Sequence, residues 1–381
     1  MVDIPVNGEV LAWARNFRGL DPASAADRIG ISTGDLEDFE RGIKTPSLTV
    51  FESFARAYQL PQSTLFRRSR PKEPELPTDF RTFDGQKPKF GFDFLVAVSN
   101  VRTLQNALHN LSLEDDEFSY PDLPRLNRKG DPEELGERER QRIGITVSDQ
   151  LGWSAGDGFS RWRAVLERLG VTVYLEKFDL NDSRGFTVLE NENLAAIVIN
   201  RSEPYERART FTLIHEYAHL LIREPGISDL KFRNPVESFC NKFAAAFLMP
   251  REALRAVLPI WPNEPVDWDT NTIRWCASRL KVSQMALALR LQEMGFAPSN
   301  FFARFNWGSG YNPPRKTEGG GSYVAIRLSE VGSRYAGAVI DAFDRGAVGT
   351  VAASQALNLS EEQFPKVRTY VERRRETADG E

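Results

Sequence analysis

Residues 211–222 read FTLIHEYAHLLI, and this short apolar run constrains the fold more than any other stretch of the 381-residue chain. His215 and His219 are four positions apart; on an α-helix such residues project from one face, one turn apart, so two imidazoles can share one ion. The chain has only three histidines, and a pair so spaced around a glutamate arises by chance about once per thousand such chains. Phe211, Ile214, Ala218, Leu221 and Ile222 supply a helical period, with Ser202 and Pro204 expected to open the helix and Pro225-Gly226 to stop it. Glu216 falls about 100° around the helix from His215. Its carboxylate can therefore reach a water at the ion without being a ligand, which makes it the candidate general base.

A hydrolytic zinc site takes three protein ligands and keeps one position open. The third ligand must come from outside the H-E-x-x-H motif. Glu237, near the start of the next expected helix, is the chosen candidate, because a helix packed on the motif helix can aim a carboxylate at the ion. Glu224 and Asp229 sit in a connection interrupted by Pro225-Gly226, with no helix to fix their direction, and His109 lies on an ordinary amphipathic helix. Cys240 is a possible soft ligand, but flanked by Phe239 and Phe243 it reads better as a small buried thiol. Asn241, one turn after Glu237, is placed to hydrogen-bond the non-ligating nitrogen of His215 or His219, with plain packing or capping as the competing role. Tyr205, Tyr217 and Arg223 are near the motif as donors to a developing oxyanion, and nothing in the sequence selects among them.

Hydrophobic residues at 41% and charged residues at 27% are those of a soluble globular chain, and the length suggests two or three domains. No apolar stretch is long enough to span a bilayer, and the opening MVDIPVNGEVLAWARNFRG lacks the pattern of a leader. With only Cys240 and Cys276, a reducing compartment is expected, and the cytoplasm is the default. A net charge of −4 with a sequence pI near 5.7 is the reverse of a nucleic-acid-coating protein, so any DNA contact must be local.

The expected fold class is α+β and mostly helical. Residues 1–70 read as short helices with helix-turn-helix punctuation: Gly30-Ile31 breaks the chain, Ser32 or Thr33 can cap the helix that follows, and Gly42 and Pro46 come after it. A proline-rich, charged linker is expected at 71–91 and a Gly-rich one at 308–322. Between them, 92–307 form one domain with its core at 160–255, and 323–381 form a C-terminal helical module. Helices are expected at 92–112, 131–143 and 159–169, then β-rich runs at 171–176, 185–189 and 195–200, taken as a small, mainly antiparallel sheet.

The motif helix and the following ESFCNKFAAAFLMP at 237–250 closely resemble the ImmA/IrrE family of metallopeptidases. The resemblance implies a zincin-like domain in which His215, His219 and Glu237 bind Zn2+ and Glu216 activates water. It also implies limited cleavage of a repressor or partner protein. LAWAR, ASAADRIGIS, FERGIKTPS and FESFARAYQLP resemble the helix-turn-helix of phage-repressor (Xre) regulators, which many members of that family carry upstream. Residues 331–367 resemble the C-terminal extension of those fused members. The expected partners are a protein substrate, such as a repressor or a toxin-antitoxin partner, and no membrane. Arg28, Arg41 and Lys44 are the candidates for DNA contact. The recognition helix TGDLEDFER, however, sets Asp35, Glu37, Asp38 and Glu40 against Arg41 alone, a surface that repels phosphate. The alternative reading is a DNA-binding regulator or antitoxin-like binding protein with a structural or vestigial metal site. Substrate, activating signal and oligomeric state have no signature in the sequence.

Overall fold

The computed structural model describes residues 3–70, 90–113, 115, 118–190, 194–223, 235–305, 322–369 and 371. The expected linkers at 71–91 and 308–322 fall almost wholly outside these residues. The chain divides into two compact units, Met1–Arg102 with Lys177–Asp182, and Thr103–Glu176 with Ser183–Glu381.

The first unit opens with α1 (Gly8–Phe17), α2 (Pro22–Ile29), α3 (Thr33–Glu40), α4 (Leu48–Tyr58) and the short α5 (Gln62–Leu65). Each of the first four starts on a polar residue, Asn7, Asp21, Ser32 or Ser47, whose side chain accepts a backbone N–H of the first turn. Gly30 ends α2 in the left-handed region and Ser32 at once caps α3, which gives the helix-turn-helix bend its tightness. Val10, Leu36, Phe51, Phe54 and Tyr58 fill the core between these helices. Arg18 is buried there, and its Nε donates to the Tyr58 carbonyl at 2.7 Å while one terminal nitrogen donates to the Gln59 carbonyl at 2.9 Å, closing the C-terminus of α4.

The helix α6 (Phe92–Leu113) follows, then α7 (Pro132–Ile143), α8 (Val147–Gly152) and α9 (Gly158–Arg168). Three strands come next, β1 (Thr172–Glu176), β2 (Gly185–Glu190) and β3 (Leu194–Asn200). The sheet expected to be mainly antiparallel is mixed. β3 lies in the middle, antiparallel to β2 and parallel to β1, with Val173 opposite Ile197 and Phe186 opposite Val198. The reason is legible in β3: LAAIVIN is apolar on both faces and buried throughout, the composition of a central strand rather than the last strand of a meander.

The rest of the second unit is helical: α10 (Glu206–Ile222), α11 (Pro235–Leu248), α12 (Arg251–Val257), α13 (Thr270–Arg279), α14 (Gln284–Glu293), α15 (Phe301–Arg304), α16 (Tyr323–Asp344) and α17 (Thr350–Ala356). α10 packs against β2, β3, α9 and α11, so the motif helix is walled in on several sides. Ser202 does not cap it. Tyr205 occupies the cap position without a side-chain bond, and the helix ends at Ile222 with Arg223 left-handed, φ 55. Pro225-Gly226 lies outside the described residues. Arg223 also donates to the Leu123 carbonyl at 3.3 Å, which accounts for it as a helix-end residue.

α11 is held by α7 and by a set of buried caps. Pro250 follows its last turn, so the final carbonyls need partners from elsewhere. Arg140 donates to Phe247 O at 2.9 Å, Gln150 to Leu248 O at 3.1 Å, and Arg290 to Met249 O at 3.2 Å. Gly136 permits the close approach of α7: a Cβ there would sit 2.8 Å from the Phe243 carbonyl and 3.1 Å from the Ala246 Cβ. We expect Gly136→Val to cost about 1–3 kcal/mol by overpacking. The check is a urea titration, in which the midpoint falls while the slope stays that of the parent. Among the described residues, no helix is long and apolar enough to cross a membrane.

Candidate metal centre

The middle of α10 is entirely buried, and the burial includes its polar residues His215, Glu216 and His219. Buried polar groups require partners. α11 supplies them, because Glu237, Cys240 and Asn241 fall three and four residues apart and so share one helix face. Glu237 Oε2 lies 3.1 Å from His215 Nε2 and Glu237 Oε1 lies 3.2 Å from His219 Nε2. The two ring nitrogens are themselves 3.2 Å apart.

The three residues thus form a triangle in which each ring nitrogen lies 3.1–3.2 Å from the other nitrogen and from one of the two Glu237 oxygens. Zinc bonds of about 2.0–2.1 Å in tetrahedral array separate neighbouring ligand atoms by about 3.3 Å. The donors, two imidazole nitrogens and a carboxylate, are those that zinc accepts. His215, His219 and Glu237 are also the group of buried ligand-type side chains that converges in this way among the described residues.

The outer sides of both rings are held as well. Asn241 Oδ1 lies 2.9 Å from His215 Nδ1. An amide oxygen only accepts, so Nδ1 carries the hydrogen and Nε2 turns its lone pair to the triangle. Burial holds the His215 proton affinity below the ordinary value, which favours the neutral ring. For Glu237, burial opposes ionisation, but the two imidazoles facing it prevail and hold its carboxyl at about 2. Cys240 hydrogen-bonds His219 and stands outside the triangle; burial pushes its thiol up, so it stays protonated. The sequence reading placed Cys240 in the core and missed this contact. Its signal was the spacing from Glu237, three residues, which puts it on the same face as Asn241.

Asn241→Ala removes the acceptor that fixes His215. A tenfold to hundredfold loss of zinc affinity is expected, about what loss of such a partner costs, with the helical circular dichroism spectrum unchanged. Competition with a chromophoric chelator measures it.

Glu216 is fully buried beside the pair of histidines. The edge strand β2 runs against it: a Cβ on Gly185 would come within 3.3 Å of Glu216 Cγ and 2.8 Å of Thr212 Cγ2. A glycine is needed for that approach. Tyr217 points elsewhere. Its hydroxyl donates to Glu139 Oε1 at 2.6 Å, and Arg142 closes on the same carboxylate at 2.7 Å, so Tyr217 belongs to a structural network with α7.

The remaining sequence candidates lie apart from the triangle. His109 is on α6, its carbonyl accepting the Ser112 hydroxyl at 2.8 Å. Glu224 and Asp229 are outside the described residues. Of the candidates for DNA contact, Arg28 stacks over Phe92 at 4.1 Å, Arg41 pairs with Glu37 at 3.2 Å, and Lys44 is gripped by Asp35 at 2.8 Å and Asp38 at 2.7 Å. The acids of the recognition helix thus already engage the cations nearest to them, and a DNA phosphate would have to displace them.

Residues 166–292 match the family model described as the IrrE N-terminal-like domain, peptidase M78, and residues 8–65 match a model described as a helix-turn-helix domain. No curated protein and no solved structure matches the chain. The first match spans the sheet and both helices of the triangle; the second spans α1 to α5. The chain thus joins a segment similar to helix-turn-helix domains, residues 8–65, to one similar to the IrrE N-terminal-like domain of peptidase M78, residues 166–292.

Proposed function

We propose that the protein is a zinc-dependent endopeptidase linked to transcriptional regulation, which cleaves a repressor or partner protein at one or a few bonds. The observation that carries this reading is the 3.1–3.2 Å triangle of His215, His219 and Glu237 with Glu216 beside it. A structural zinc site closes with a fourth protein ligand and has no use for a glutamate such as Glu216.

When bound, zinc supplies a Lewis acid that polarises the scissile carbonyl and acidifies water. The side chains do the rest. His215 and His219 would hold the ion through their Nε2 atoms, with Asn241 fixing the His215 ring. Glu237 brings the negative charge that the two imidazoles lack. Glu216 accepts the proton of the attacking water and returns it to the leaving amine nitrogen, which would otherwise depart as an unstable anion. The walls formed by β2 and α11 exclude bulk water, so a charge developing there is weakly screened.

The role proposed for the helix-turn-helix domain is to bring that partner to the peptidase, since its recognition helix is acidic and its nearby cations are engaged. Glu216→Gln protein expressed in its own cells should retain the partner and co-purify with it. Adding zinc-loaded wild type to the captured complex should then cut the partner at defined bonds, which mass spectrometry locates. If wild type leaves every captured protein intact, with zinc bound, the peptidase reading is wrong.

A further inference from the structure

The second unit contains a cavity of about 1170 Å³, lined by α9, by α16 and by the first turn of α10. Its volume suits an organic molecule rather than a lone ion. The wall is rich in arginine, and the wall's own acids do not balance it. Glu167 is taken by Arg163 at 3.1 Å and by Ser333, Asp115 pairs with Arg345 at 2.9 Å, and Asp149 is bound by the Thr146 hydroxyl at 2.6 Å. Five arginines, Arg161, Arg163, Arg168, Arg209 and Arg334, thus share the wall with four acids, one of which, Asp115, turns to Arg345 outside it.

Arg209 and Arg334 stand out among these. The Nε of each is buried and finds no hydrogen-bond acceptor among the described residues. Each guanidinium lies against an aromatic ring, Arg209 on Phe159 at 5.5 Å and Arg334 on Phe118 at 5.1 Å, which fixes the plane of the fork. Arg334 also donates to the Ser119 carbonyl. Burial lowers the proton affinity of both side chains, so each cation sits where hydration is poor. A buried cation with an unused donor is costly, and an anion of matching geometry relieves both the charge and the donor. A planar fork suits the paired oxygens of a phosphate. Phe118, Phe159 and Trp153 also line the cavity and offer apolar surface to the rest of such a molecule.

We propose that this cavity binds a phosphorylated small molecule of nucleotide size, with its phosphates held by Arg209 and Arg334. The inference does not rest on the reading of the metal centre. It bears on it, because Arg209 precedes His215 by six residues on α10, about 9 Å along the helix axis. A ligand drawing on Arg209 therefore acts on the helix that carries both histidines.

The test is isothermal titration of the full chain with ATP, GTP and AMP, and with adenosine as the uncharged control. At least one of the phosphorylated probes should bind one per chain, and adenosine should bind at least about tenfold more weakly, the loss set by one charge-assisted bond. Arg209→Gln and Arg334→Gln should each weaken that binding about tenfold or more while thermal midpoint and zinc content stay those of the parent. Where a glutamine variant fails to fold, Arg209→Lys or Arg334→Lys carries the test, since lysine keeps the charge but loses the fork. The proposal is overturned if none of the three phosphorylated probes binds, if adenosine binds as tightly as AMP, or if binding survives both substitutions unchanged.

Discussion

Replacing Glu216 by glutamine is expected to reduce peptide cleavage by about 10²–10⁴-fold, the usual contribution of a positioned general base, and to leave zinc in place. Glutamine keeps the size of the side chain but has no carboxylate to accept the proton of water. Glu216 is buried and packs against β2 at Gly185, so an isosteric change disturbs neither strand nor helix. His215, His219 and Glu237 are unchanged in the variant, and their triangle is complete without residue 216. Cleavage of the captured partner, followed by gel and mass spectrometry, separates the outcomes. A variant that cuts as fast as wild type removes Glu216 from the chemistry.

The second large effect concerns stability rather than turnover. Arg140→Ala should destabilise the protein by about 3 kcal/mol, because it leaves a buried carbonyl unpaired at a cost of about 1–3 kcal/mol and removes the guanidinium from the Trp162 ring. That carbonyl is Phe247 O, at 2.9 Å from the guanidinium; the Thr146 carbonyl, at 3.0 Å, keeps the Gln150 N–H. Arg140 is itself buried, and its proton affinity falls to about 10 through loss of hydration. For a unit of this size, about 3 kcal/mol corresponds to a melting-point drop of roughly 6–12 °C. Calorimetry on the zinc-free protein reads it without interference from metal binding. A drop under about 2 °C would show that the end of α11 is satisfied without Arg140.

Much of the candidate site was legible in the sequence because local spacing carries it. Four residues separate His215 and His219, four separate Glu237 and Asn241, and helical geometry turns each spacing into a shared face. What joins the two faces is not local. The capping of α11 by Arg140, Gln150 and Arg290 bridges from about 40 to about 110 residues of chain, and no periodicity announces it. The role of Arg18 is hidden in the same way, since a lone arginine in an amphipathic helix reads as a surface cation until the Tyr58 and Gln59 carbonyls are brought to it. The sheet was misread for a different reason. Turn residues between consecutive β-rich runs suggested a mainly antiparallel sheet, whereas the two-sided apolar character of Leu194–Asn200 set β3 between β1 and β2. In the helix-turn-helix domain the acids of TGDLEDFER were plain, and their grip on Lys44 and Arg41 became visible only with the fold.

The most direct test of the central claim is the metal content of the purified protein, measured by mass spectrometry of the elements after dialysis against metal-free buffer. One zinc per chain is expected in the wild type, with loss of that zinc in Glu237→Ala while the helical spectrum persists. A wild-type sample that binds no transition metal when zinc is supplied, or a Glu237→Ala sample that keeps its zinc in full, would contradict the account.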